Sequence, residues 1–204
     1  MSVLAELEQT QRELLSEDFS VLAGQSGVRA AVDSEGGTVG LRVWPGALRL
    51  SRFLLRHPEF VENKIVLELG CGVGLPGLTV ARFCNPTSVL LTDRASMGPV
   101  VSAAVEHNGV SGLAQFQPFD WGSAEDLQKY NQHTFDVVIG TELVYAEEQE
   151  PLANAFAALN ADVFILCYTQ RSDADKEYLE NRLLPDFDLV EKQGSVFVMS
   201  RRVS

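Results

Sequence analysis

A chain of 204 residues with 46% hydrophobic and 22% charged residues can bury one sizeable core, a composition that excludes a disordered polymer. The formal net charge is -12 and no Lys/Arg cluster stands beyond Arg201 and Arg202, which argues against a nucleic-acid partner and favours a basic one. Cys71, Cys84 and Cys167 are widely spaced, without a CxxC pair or a histidine at metal-ligand spacing, so free thiols in a reducing compartment and no metal site are expected.

Glu6, Glu8, Glu13, Glu17 and Asp18 stand where a leader would be basic and then apolar, and no apolar run reaches membrane-spanning length. A cytosolic or nuclear location away from membranes is the expectation. Val3, Leu4, Leu7, Leu14 and Leu15 keep a loose helical spacing, which predicts a surface helix or arm over residues 1–16. Val28, Ala30 and Val32, then Val39, Leu41 and Val43, alternate with polar or small residues around the turn formers of 33–37, a β-hairpin pattern. Residues 1–43 are therefore expected as an N-terminal extension and 44–204 as the main domain. Trp44, Ala47, Leu48, Leu50, Phe53, Leu54 and Leu55 then fit a helix whose first turn tolerates Pro45.

Beyond that helix, short apolar runs predict strands at 65–69, 88–92, 114–119, 135–139 and 163–168, most followed by helical segments, as parallel crossovers require. The last two strands, 187–190 and 196–199, are joined by residues 191–195 alone, too short for a parallel crossover, so an antiparallel hairpin is expected. This α/β, Rossmann-like succession, mostly parallel with a C-terminal antiparallel hairpin, resembles the seven-stranded class I methyltransferase sheet and departs from the all-parallel sheets usual in dinucleotide enzymes.

The strongest local signal is the apolar run Ile65-Val66-Leu67-Glu68-Leu69 entering Gly70-Cys71-Gly72-Val73-Gly74, with Pro76 and Gly77 opening a helix. Glycines let the backbone turn tightly and approach a ligand without Cβ atoms, and the helix start is expected to offer unpaired N–H groups to a carboxylate or phosphate. Residues 72–77 also satisfy G-x-G-x-x-G, with Asp93 at the distance a nicotinamide dinucleotide would need, so the glycines alone leave both ligands open. Glu68 favours a cation: a strand-end carboxylate repels a pyrophosphate and suits S-adenosylmethionine, which carries an ammonium and a sulfonium. Asp93 ends the second strand where ribose hydroxyls are bonded, and Asp120 beside Trp121 offers an acceptor and an aromatic face for adenine. His57, His107 and His133 lie outside the strand ends and are read as structural or surface residues.

Val43-Trp44-Pro45 opening a helix, the Glu-Leu-Gly-Cys-Gly-Val-Gly loop, Leu91-Thr92-Asp93-Arg94, Asp120-Trp121-Gly122, and Glu142-Leu143-Val144-Tyr145 before Ala146-Glu147-Glu148 occur in that order. Together they resemble the family 16 seven-strand protein methyltransferases, best known for methylating lysine. That resemblance implies that Trp44, Glu68, Gly70, Cys71, Gly72, Gly74, Asp93, Arg94, Asp120, Trp121 and Thr141 line S-adenosyl-L-methionine, with S-adenosyl-L-homocysteine as product. It puts Glu142 and Tyr145 at the acidic and aromatic positions beside the transferred methyl, with Glu where Asp is more usual.

The reaction expected from this is methyl transfer to a lysine of a protein substrate by in-line displacement, which needs alignment and exclusion of water but no metal. A small nitrogen-containing metabolite as acceptor, on the same fold, a nicotinamide-dependent oxidoreductase and a non-catalytic binding module are the competing readings, and arginine or histidine stays open as the acceptor. No heptad seam or long exposed apolar strand suggests an obligate dimer, so a monomer is expected.

Overall fold

In a computed structural model, residues 43–144 and 149–202 are described. The expected N-terminal arm and nearly all of the expected hairpin lie outside the described residues, and so does Tyr145. Helix α1 (Pro45–Arg56) starts where the fixed φ of Pro45 suits a first turn and Trp44 holds an extended N-cap. Its buried residues Leu50, Phe53 and Leu54 join the core on one face of the sheet.

From β1 (Ile65–Leu69) the chain alternates: α2 (Leu75–Phe83), β2 (Ser88–Asp93), α3 (Gly98–His107), β3 (Ala114–Pro118), α4 (Ala124–Asn131), β4 (Thr134–Thr141), α5 (Gln149–Ala158) and β5 (Asn160–Cys167). Helix α6 (Asp173–Tyr178) precedes β6 (Phe187–Gln193) and β7 (Val196–Arg201). The seven-stranded sheet has the order β3-β2-β1-β4-β5-β7-β6. Strands β1 to β5 pair in parallel and β7 runs antiparallel to both β5 and β6. The antiparallel pair is tighter than its sequence suggests, because β6 extends to Gln193 and only Gly194, in a left-handed conformation, and Ser195 remain as the turn. Expected strand limits shift elsewhere too: β4 and β5 start earlier because Thr134 pairs with Asn160, and β3 stops at Pro118.

Successive residues feed opposite cores, as strand pleating demands. Val137, Ile139, Ile165 and Val198 face α1, α2 and α3, while Val138, Phe164, Leu166 and Met199 face α4, α5 and the segment after α6. Sandwiching between two helical layers explains why the parallel strands read as continuous apolar runs. The order reverses at β1, which has β2 on one side and β4 on the other. There Leu69 stands opposite both Thr92 and Gly140, so the strand ends are level and their exit loops share one edge.

Candidate active site

Leaving β1, the chain takes left-handed conformations at Gly70 (φ +61), Gly72 (φ +54) and Gly74 (φ +79), which places the loop across the ends of β1 and β2. The Cys71 N–H donates to the Thr92 carbonyl at 2.8 Å and the Gly72 N–H to Asp93 Oδ2 at 2.8 Å. The other Asp93 oxygen accepts from the Arg94 N–H at 2.7 Å. Burial raises the Asp93 carboxyl above its usual value, opposed by these two N–H donors and the Arg94 charge. Asp93 therefore ties β2 to the loop, and each oxygen keeps a lone pair for a hydroxyl.

Glu68 stands next to last in β1. It is 1% exposed and turned under the loop, where Oε2 accepts from the Gly77 N–H at 2.8 Å. Gly77 makes this possible, since a Cβ there would collide with Leu91 Cδ2 and come to 2.5 Å of the Glu68 oxygen. Burial pushes the Glu68 carboxyl up to about 8, with the Gly77 N–H pulling the other way and Asp93 adding a further rise. The expected row of open helix-start donors is correspondingly reduced. Pro76 has no N–H, that of Gly77 is engaged by Glu68, and that of Leu78 donates to the Gly74 carbonyl at 2.9 Å. A diphosphate would find few donors here and a buried carboxyl nearby.

One wall of the loop is Trp121, whose ring would lie 3.0 Å from a Cβ at Gly70. Its Nε1–H is buried without a hydrogen-bond partner among the described residues. Asp120 Oδ1 accepts from the Gly122 N–H at 2.9 Å, and the Asp120 N–H donates to Asp126 Oδ2 at 2.8 Å, which fixes the turn and leaves the second Asp120 oxygen on the exposed side. Cys71 is buried in the loop itself, its thiol pushed well above the usual value by burial and then by Glu68 and Asp93.

On the other side of β1, Thr141 ends β4 opposite Cys167 of β5. Glu142 follows with a left-handed backbone (φ 54), its N–H donating to the Cys167 carbonyl at 3.0 Å. Its side chain packs on Gly46 of α1, where a Cβ would strike the carboxylate. Oε1 accepts from the Thr169 hydroxyl at 2.9 Å and Oε2 from Arg171 at 3.0 Å. Arg49 of α1 holds Thr169 at 3.0 Å, and the Arg171 guanidinium lies 5.0 Å from the centre of the Trp44 ring. Trp44, expected to line the cofactor, and Glu142, expected beside the transferred methyl, thus meet through Arg171.

The structure brings Gly70, Cys71, Gly72, Gly74, Asp93 and Trp121 together around one loop. Arg49, Thr169 and Arg171 are additions that sequence reading did not single out. The signal for the last two was their place just beyond the carboxyl end of the fifth strand, where open α/β sheets gather functional groups.

This strand order, with a glycine loop at the point where it reverses, defines the class I methyltransferase architecture. A methyltransferase from Pyrococcus furiosus shares it with a TM-score of 0.61 at 14% identity, over 96% of this chain and 100% of that one. The SMU.776 structure, complexed with SAH, shares it with a TM-score of 0.57 at 13% identity, over 83% of this chain and 52% of that one. Residues 25–183 match the family described as lysine methyltransferase, and the chain belongs to that family. Protein N-lysine methyltransferase METTL21A of Danio rerio is 29% identical over 154 residues, which cover 74% of this chain and 66% of that protein. The chain spans less than half the length of human relatives it matches at 31% identity, 43% of each.

Proposed function

We propose that this chain binds S-adenosylmethionine and methylates a lysine side chain of a protein. Membership of the lysine methyltransferase family supports the acceptor, and the loop geometry supports the cofactor. The observation that carries the cofactor reading is the Trp121 Nε1–H, buried without a hydrogen-bond partner among the described residues, on the ring that packs against Gly70: a donor and an aromatic wall suited to a nucleoside. The helix start, with few donors left, suits a diphosphate poorly.

When bound, S-adenosylmethionine supplies an electrophilic methyl group on a sulfonium. Asp93 accepts hydrogen bonds from ribose hydroxyls with the lone pairs its backbone partners leave free, and Asp120 with Trp121 receives the adenine. Glu142 orients the incoming amine. The family's chemistry asks these residues chiefly to align the nitrogen with the methyl carbon and to exclude water.

We infer a monomer in the cytosol or nucleus with a protein substrate and no nucleic-acid partner; the three buried free thiols support a reducing compartment. The test is tritiated methyl transfer into a whole-cell extract with wild type, Asp93→Ala and Glu142→Ala, followed by mass spectrometry of the labelled band. Label on a lysine of one protein, lost in both variants, is expected. Label in small molecules alone would refute the protein acceptor, and tighter calorimetric binding of nicotinamide dinucleotide than of S-adenosylhomocysteine would refute the cofactor.

A further inference from the structure

Resting on the reading of Glu142 as the acceptor-side carboxylate, a second question is how the acceptor nitrogen becomes a nucleophile. A lysine amine has an unperturbed pKa of about 10.4, and only its neutral form has the lone pair that attacks carbon. An isolated carboxylate beside it would hold the proton more firmly still, by favouring the ammonium. Glu142, only 7% exposed at its side chain, is not isolated: the Arg171 guanidinium reaches Oε2 at 3.0 Å. The guanidinium is also seated over the Trp44 ring, and Thr169, held by Arg49, fixes the other carboxylate oxygen.

We propose that Arg171 is a positioning residue for methyl transfer, which cancels the Glu142 charge so that the acceptor amine stays neutral while Glu142 still accepts a hydrogen bond from it. The ammonium releases one proton to water before transfer. The nitrogen lone pair then forms the N–C bond as the S–C bond breaks, and that electron pair leaves on sulfur as the thioether. Free lone pairs on the carboxylate allow the amine a place beside Thr169 and Arg171. The other charged or titratable groups near this cluster, among the described residues, are Arg49 of α1, Cys167 at the end of β5 and Tyr168 just after it, with Asp175 of α6 and Glu180 beyond it acting on Tyr168. None of these reaches the Glu142 carboxylate as Arg171 does. Arg171 itself is 37% exposed at its side chain, against 7% for Glu142.

The experiment is the rate of tritium incorporation into cell-extract protein from pH 6.5 to 9.5 at saturating S-adenosylmethionine, with Asp93→Ala as the blank. Arg171→Met should move the rising limb of the profile to higher pH by about one unit, so that it is about tenfold slow at pH 7 and recovers near pH 9. Arg171→Lys should return most of the limb, and adding Glu142→Gln to Arg171→Met should return it as well, because no charge is then left to cancel. S-adenosylhomocysteine calorimetry on each variant shows whether the fold and cofactor loop are intact. A loss equal at every pH in a variant that still binds S-adenosylhomocysteine would overturn the proposal in favour of a purely structural clamp, as would a limb displaced to lower pH. If wild type binds S-adenosylhomocysteine yet labels no protein, the lysine reading fails first and takes this proposal with it.

Discussion

Replacing Glu68 by Gln tests whether the carboxyl beneath the glycine loop is held protonated in the free protein. Glu68 is 1% exposed, and burial pushes its carboxyl from 4.5 to about 8. The folded chain therefore keeps a proton that the unfolded chain releases above its ordinary value. The resulting stability is present in full below pH 4.5 and is lost as the pH rises through about 8. Each pH unit inside that window is worth at most about 1.4 kcal/mol, giving an upper bound of roughly 4 to 5 kcal/mol, and structural relaxation should leave about half of it. Gln has the same shape, presents a carbonyl oxygen to the Gly77 N–H and has no proton to lose. Urea unfolding of the free protein at pH 5.5, 6.5, 7.5 and 8.5 should show the stability of wild type minus Glu68→Gln falling steadily. For a domain of this size that is a Tm difference changing by roughly 4 to 10 °C. A difference that stays flat, or grows with pH, would refute the argument that burial dominates this group.

Two further substitutions test the local packing. Gly77→Ala should destabilise the fold by roughly 1 to 3 kcal/mol and weaken S-adenosylhomocysteine binding, because the new methyl meets Leu91 and the Glu68 carboxyl; thermal melting and calorimetry check both. Tyr130 is fully buried, stacks on Phe119 at 4.1 Å and donates its hydroxyl to the Pro118 carbonyl at 2.9 Å. Tyr130→Phe keeps the stack and should cost about 1 kcal/mol in urea unfolding while leaving S-adenosylhomocysteine binding unchanged.

Features written into neighbouring residues were legible in the chain. The run from Ile65 to Leu69 followed by glycines announces a strand and a tight turn, because backbone freedom and apolar burial are local properties. The hairpin of β6 and β7 was readable from the shortness of its connection. The partners of polar side chains were not. Glu68 was legible as a strand-end carboxylate, but not the direction its side chain takes; the Gly77 N–H holds it beneath the loop and the missing Cβ of Gly77 leaves it room. Arg171 carried no motif, and its meeting with Glu142 spans 29 residues.

The amino-acid sequence by itself determined the order of strands and helices, the glycine loop and the family, since these follow from hydrophobic periodicity, glycine placement and short motifs. Only the tertiary structure decided which groups touch. By laying β5 beside β4 and α1 against their ends, it set a guanidinium on Glu142 and a ring beneath that guanidinium. Charge cancellation depends on separations of a few ångströms, and such distances between remote segments are fixed by sheet order and helix packing, which no local pattern encodes.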